Sequence, residues 1–169
     1  MKYKLELPNL NNAPELSQLI NEAYRGETGW TKETGIVSGQ RTNINEIKAL
    51  ITNPKMHFLI AKENNGIVAC VCIEQKRSQA YIGLLAVNSN YQNKGLGKKV
   101  LRLAEEYALN ELNSNEYIMV VISQRKELIA FYERRGYKKT GELEQYPAHL
   151  NVGEPITKDL TIEYLKKNT

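Results

Sequence analysis

Residues 81–97, Tyr-Ile-Gly-Leu-Leu-Ala-Val-Asn-Ser-Asn-Tyr-Gln-Asn-Lys-Gly-Leu-Gly, constrain the fold of this chain more than any other stretch. The first part, through Val87, reads as a buried strand, whereas Val100, Leu101, Leu103, Ala104 and Ala108 recur at helical spacing. The chain therefore has to turn sharply between them, and Gly95 and Gly97 stand at the turn. Where a strand enters a helix through a glycine-rich corner, the first N–H groups of the helix have no partner in the chain and point outward, which suits phosphate. Lys94, Lys98 and Lys99 add positive charge beside that corner and favour a ligand with several phosphates over one with a lone carboxylate.

Spacing separates the loop chemistries that such a corner can serve. A Walker loop needs a first Gly where this chain has Gln92, and a Ser or Thr after the lysine where it has Lys99. A dinucleotide fingerprint needs a third Gly where Val100 stands. What remains is Gln92-Asn93-Lys94-Gly95-Leu96-Gly97, a Gln-x-x-Gly-x-Gly pattern. Taken alone, the two glycines are also compatible with nothing more than a helix packing closely on a strand.

The rest of the chain supplies the context. Its 169 residues suit one domain, spanning 1–169, with a full core. The net charge of +4 suits a polyanionic ligand, and without a basic run or basic-aromatic stripe it does not call for nucleic acid. No apolar run nears the roughly 18 residues that cross a bilayer, and the N-terminus carries no apolar signal core, so a cytoplasmic protein that does not engage membranes is expected. Cys70 and Cys72, two apart in a strand-like run, share one face and read as small core residues. His57 and His149 show no ligand spacing to them, so no metal is expected.

In order, residues 2–7 alternate as a first strand that Pro8 stops, and Asn12 caps a helix carrying Leu16, Leu19, Ile20 and Ala23 on one face. Residues 25–41 are irregular and glycine-rich, which in a compact domain marks a functional or mobile segment. Asn43 caps a second helix. Residues 56–62 and 67–74 flank Asn64-Asn65-Gly66, a hairpin signal, and 79–87 is the third strand of an antiparallel meander. The central helix runs from about 95 to 112 and stops at Asn113-Ser114-Asn115. The apolar run 117–122 reads as a strand covered on both faces and parallel to 79–87, which makes 81–122 a βαβ crossover. A helix over 127–135 ends at Gly136, and strands over 137–143 and 159–165 close the chain.

This element order, the Gln92–Gly97 pattern, and a second landmark, Leu128-Ile129-Ala130-Phe131-Tyr132-Glu133-Arg134-Arg135-Gly136-Tyr137, together resemble the GNAT superfamily of acyl-CoA-dependent acyltransferases. The N-terminal runs Ala23-Tyr24-Arg25-Gly26 and Gly29-Trp30-Thr31 are similar to those of small stand-alone GNAT domains. The resemblance implies an α/β (α+β) fold: a mixed, mostly antiparallel sheet of about seven strands flanked by about four helices, with a splayed parallel pair in the middle. It implies an N-acetyltransferase using acetyl-CoA, with an amine acceptor of unknown identity, as a monomer or homodimer. The pantetheine arm would pair with Leu85, Ala86 and Val87, and one N–H near Leu85 would polarise the thioester carbonyl. The backbone from Asn93 through Lys94, Gly95, Leu96 and Gly97 to Lys98, with Gln92 before it, would hold the pyrophosphate. Tyr132 would be the general acid toward the departing sulfur.

The chain departs from the family pattern in two places. Arg125 stands where many relatives carry an Asn that contacts the pantetheine, and Tyr81, Gly83 and their neighbours offer no base on the strand before the phosphate corner. The missing base leaves Tyr24, Glu27, Glu144 and His149 as candidates on the acceptor side, with Trp30 as a wall of that pocket. A CoA-binding regulatory module with a vestigial catalytic site is the alternative reading.

Overall fold

The structure, a computed structural model, describes residues 3–26, 33, 35–150 and 152–169. In chain order the elements are α1 (Ala13–Arg25), β1 (Val37–Ser38), α2 (Ile44–Thr52), β2 (Met56–Glu63), β3 (Gly66–Lys76), β4 (Gln79–Val87), α3 (Leu96–Asn110), β5 (Glu116–Ile122), α4 (Lys126–Glu133), β6 (Lys138–Gln145), β7 (Glu154–Pro155) and β8 (Thr161–Asn168). The main sheet has six strands in the order β2-β3-β4-β5-β8-β6, with β4 and β5 parallel and every other pair antiparallel.

Local chemistry sets the boundaries of these elements. Asn64 and Asn65 both adopt positive φ, 50° and 66°, which the two-residue hairpin turn between β2 and β3 requires and asparagine tolerates. Asn113 (φ 52°) closes α3 and Gly136 (φ 96°) closes α4, both in the left-handed region. The side chain of Asn43 accepts from the Glu46 amide and caps α2.

Each face of the sheet carries two helices. Leu96, Val100, Leu101 and Ala104 of α3, with Ile129 of α4, pack on Leu59, Val71, Ile82 and Met119. Leu16 and Ile20 of α1 and Ile47 of α2 pack on Ile60, Cys70 and Leu84 from the other side. Burying each such side chain contributes about 1.5–3 kcal/mol, and this two-sided layer fixes β3 and β4 rigidly.

Four expectations need correction. The first strand shrinks to a single bridge between Glu6 and Ile60 at the β2 edge, because the pairing ends before Pro8. The Asn12 side chain does not cap α1; it accepts from the Asn9 amide in a capping box with Asn9 around a 3-10 turn, Leu10–Asn12, that runs into α1. β5 is not covered on both faces throughout, since Val120 is 43% exposed. The irregular segment after α1 and the loop after β6 also meet: β1 and β7 form a two-stranded ribbon, Val37 opposite Pro155.

Candidate active site

The site begins with one extra residue in β4. Cys70 pairs with Ala86 and Cys72 with Gly83, so β4 carries one residue more than β3 between the same two pairs. Leu84 takes up the excess at φ 49°, rare for a leucine, and its carbonyl accepts a hydrogen bond from the buried Cys70 thiol at 3.4 Å. A bulge of this kind bends its strand. β4 accordingly pairs with β5 only at Gln79, Ala80 and Tyr81, while β5 stays bonded to β8 along its whole length through Ile122. Beyond Tyr81 the two strands part. The β5-facing backbone of Leu85, Ala86 and Val87 is left without a neighbouring strand.

A cleft of about 300 Å³ fills the opening. Leu85, Ala86 and Val87 form one wall, and Leu128, Phe131 and Tyr132 of α4, with Arg135 just past its end, form the other. Gln92, Asn93, Gly95, Leu96, Gly97 and Lys98 close one end; Ala23, Tyr24 and Arg125 close the opposite end. Gly95 stands before α3 at φ 76° and no side chain caps the helix, so the first-turn amides remain available at the cleft. Asn93 turns at φ 60°, and the Gln92 side-chain amide donates to the Val87 carbonyl at 3.0 Å, tying the corner to the end of β4. A side chain at Gly97 would meet Val87 and Phe131 across the cleft. An extended chain ending in a pyrophosphate fits this set of donors: unpaired strand backbone along one wall, amides and Lys98 at the end.

Tyr132 is 6% exposed, with its ring edge-on to Phe131 at 5.4 Å and to Tyr137 at 5.9 Å. Burial and the neighbouring Tyr24 push its phenol up from the ordinary value, against the Arg125 guanidinium, which pulls it down. It is therefore a neutral phenol at physiological pH.

The Tyr24 end is organised by charge. Glu33, 4% exposed, is bound by Arg25 at 2.7 Å and by Arg125 at 3.2 Å, and both guanidinium groups are themselves nearly buried. Arg125 and Arg41 lie over the Tyr24 ring at 5.8 and 5.7 Å. Arg25 also donates to the carbonyls of Gly39 at 3.0 Å and Val152 at 2.6 Å and to the Tyr146 hydroxyl at 3.3 Å. Gly153 fits over this cluster at φ 113°, and a Cβ there would stand 2.6 Å from both Arg25 Nη1 and a Val37 methyl.

Of the residues expected at the site, Tyr132, Arg125, Tyr24, Leu85, Ala86, Val87, Gln92, Asn93, Gly95, Leu96, Gly97 and Lys98 line the one cleft. Lys94 does not line it; its ammonium lies 5.6 Å over the Tyr91 ring. His149 is exposed in a 3-10 turn, Ala148–Leu150, and lies outside the cleft lining, as does Glu144 on the exposed strand β6. Glu27 and Trp30 lie outside the described residues. Glu33, Arg25 and Arg135 were not singled out from the sequence. Arg135 was legible, since it follows Leu128 and Tyr132 at i+7 and i+3 on one helical face, whereas nothing in the residues around Glu33 marks it. Among the described residues no group of three or more His, Cys, Asp or Glu is placed to hold a metal ion, and no helix is long and apolar enough to cross a membrane.

Residues 14–137 match the model of the acetyltransferase (GNAT) family. The chain belongs to this family. Its GNAT fold superposes on the PaiA N-acetyltransferase from Thermoplasma acidophilum in complex with coenzyme A, with a TM-score of 0.74 and 18% identity over 100% of both chains. It superposes likewise on a spermidine N-acetyltransferase SpeG chimera from Vibrio cholerae and hSSAT, with a TM-score of 0.75 and 14% identity, covering 99% of this chain and 96% of that one. The ribosomal-protein-S18-alanine N-acetyltransferase from Escherichia coli gives a TM-score of 0.70 at 14% identity, covering 99% and 94%. At these identities the likeness is one of fold. In sequence, this GNAT chain is 29% identical over 97 residues to N-alpha-acetyltransferase 30 of Xenopus laevis, and the match spans 55% of the chain and 35% of that protein's length.

Proposed function

We propose that this GNAT protein transfers an acetyl group from acetyl-CoA directly to a primary amine. The observation that carries this reading is the parting of β4 from β5 after Tyr81, which opens one cleft from the uncapped start of α3 to Tyr132. In this reading the free backbone of Leu85, Ala86 and Val87 pairs with the donor's arm, as a strand would. The amides of residues 93–98, with Lys98, hold its pyrophosphate. The donor supplies an acyl group activated as a thioester, and an N–H near Leu85 polarises its carbonyl.

Tyr132 gives its proton to the departing sulfur. A free thiolate resembles cysteine, with a pKa of ~8.5, and a free phenol sits near ~10. Burial disfavours both anions, so enclosure in the cleft pushes the two upward together. The phenol and a sulfur leaving in the same enclosed space therefore stay close in proton affinity. Arg125, held in place by Glu33, lies where it eases the loss of the Tyr132 proton. An alkylamine acceptor, pKa ~10.4, must shed a proton before attack. The described lining holds no Asp, Glu or His, and burial pushes the Tyr24 phenol up, so that proton leaves through water.

The test is release of free CoA from acetyl-CoA with a panel of amines that includes spermidine and a peptide with an N-terminal alanine, acceptors named for the structural neighbours. Turnover on an amine that collapses in Tyr132→Phe is the expected result. Turnover unchanged in Tyr132→Phe removes that residue from its role. The lack of a carboxylate or histidine among the described lining residues favours the second reading, a CoA-binding regulatory module. Tight acetyl-CoA binding without turnover on any amine would establish it in place of the enzyme.

A further inference from the structure

The Tyr24 end of the cleft carries more positive charge than its own carboxylate can balance. Arg25, Arg41 and Arg125 gather there, and among the described residues one carboxylate, Glu33, pairs with them. Arg25 and Arg125 share it, at 2.7 and 3.2 Å, and the three groups are nearly buried together. Arg41 is left over. Its guanidinium, half-buried, lies 5.7 Å over the Tyr24 ring and makes no ion pair or side-chain hydrogen bond among the described residues. Glu27 and Lys32, outside those residues, are of opposite charge and leave the balance as it is.

The position of Arg41 is held from α1. Asn21 accepts from the Arg41 and Thr42 amides at 2.8 and 3.1 Å and donates to the Thr42 carbonyl at 3.0 Å. The backbone that carries Arg41 is thus tied to the helix that carries Tyr24. Tyr24 and Arg125 line the cleft, and Arg41 stands one side chain beyond that lining. Its field reaches the cleft: burial raises the Tyr24 phenol, and Arg41 and then Arg125 are the charges that most oppose the rise.

Such a field acts on an amine in two ways. It disfavours the ammonium form, and so supplies part of the deprotonation for which the described lining offers no Asp, Glu or His. It also repels an acceptor that carries positive charge alone. An acceptor whose own anion rests on the outer guanidinium escapes the repulsion. A guanidinium set against an aromatic ring presents two parallel donors to a planar carboxylate. One such group suits a monoanion better than a phosphate ester with its charge of about two. The cleft, about 300 Å³, also has to admit the donor's thiol arm, which leaves room for a small acceptor.

We infer that the acceptor is a small amine bearing a carboxylate, with the amine at the thioester beside Tyr132 and the carboxylate on Arg41 beyond Tyr24. The inference rests on the acetyltransferase reading above and narrows its acceptor class. Arg41 is then a specificity-determining residue, remote from the reacting atoms.

Steady-state release of free CoA by the full chain, with glycine, β-alanine and γ-aminobutyrate each set against its amide, tests this. Rates are compared per unprotonated amine, and spermidine and the pair O-phosphoethanolamine and ethanolamine complete the panel. For the best carboxylate, kcat/KM should exceed that of its amide about tenfold or more, the usual worth of a charge-assisted contact, with the difference in KM. Arg41→Gln, which leaves no carboxylate unpaired, should cut that preference severalfold. Arg41→Lys, which keeps the charge without the fork, should restore part of it. Amides or spermidine used as well as the carboxylates overturn the inference and leave the acetyltransferase reading standing, as does a preference undiminished in Arg41→Gln. A preference confined to O-phosphoethanolamine over ethanolamine overturns the carboxylate in the same way. Acetyl-CoA binding without turnover on any amine of the panel overturns both.

Discussion

The two ends of the cleft are put together in opposite ways. At the phosphate end, the lining comes from two continuous stretches, 85–98 and 128–135, and backbone does most of the work: unpaired strand, uncapped helix, turns at Asn93 and Gly95. At the Tyr24 end, Arg25 gathers the Glu33 carboxylate, the Gly39 and Val152 carbonyls and the Tyr146 hydroxyl, and Glu33 joins Arg125, so groups far apart in the chain converge around one buried ion cluster. The first arrangement is set by local geometry and tolerates many side chains. The second is a network in which each member leaves another unpaired when removed. One end is suited to a constant ligand and the other to a selective one.

That contrast can be broken in graded steps. Tyr132→Phe, which removes a hydroxyl without disturbing the ring packing, should lower kcat by about 10²- to 10⁴-fold with little change in the acetyl-CoA KM, measured by free-thiol release. Loss in KM alone would make Tyr132 a wall of the phosphate end and nothing more. Glu33→Gln leaves two nearly buried guanidinium groups without their counter-charge and should cost about 3–5 kcal/mol in urea unfolding. A loss under about 1 kcal/mol, the range of exposed pairs, would mean that charge does not hold the Tyr24 end together.

Smaller effects sharpen the comparison. Gly153→Ala puts a Cβ against Arg25 and Val37 in a left-handed conformation, and about 1–3 kcal/mol is expected, with strong coupling to Glu33→Gln in a double-mutant cycle. Gly95→Ala has a positive φ but nothing within 4 Å of the new methyl, so the strain alone, about 1–2 kcal/mol, should appear, without coupling to Glu33. The smallest effect should come from His57, which lies outside both ends. Burial lowers its pKa below 6.5, so the native state binds fewer protons than the unfolded one. Its contribution is complete above about pH 6.5 and fades as pH falls below it; urea midpoints at pH 7.5 and 5.5 should show a shift that His57→Gln abolishes.

The same contrast explains what could be read from the sequence. The β2–β3 hairpin, the α3 corner, the βαβ crossover and the Gly136 stop each depend on residues close together in the chain, and spacing exposes them. The phosphate-end lining follows from that. Charge beside a corner does not fix direction: the Lys94 ammonium lies over the Tyr91 ring. The bulge at Leu84 was invisible because leucine carries no mark of positive φ. Glu33, Arg25 and the β1–β7 ribbon depend on pairings far apart in the chain, 92 residues for Glu33 with Arg125 and 127 for Arg25 with Val152, and no periodicity carries such information. His149 had only its residue type to recommend it, and it lies outside the cleft lining.

The central claim is that β4 holds its ligand with the backbone that β5 abandons. Amide hydrogen exchange along β4, with and without saturating acetyl-CoA, addresses it directly. Residues 85–87 and 93–98 should become markedly slower with ligand, while 79–81, already zipped to β5, should not change. Exchange at 85–87 that stays the same when acetyl-CoA is bound would contradict the account.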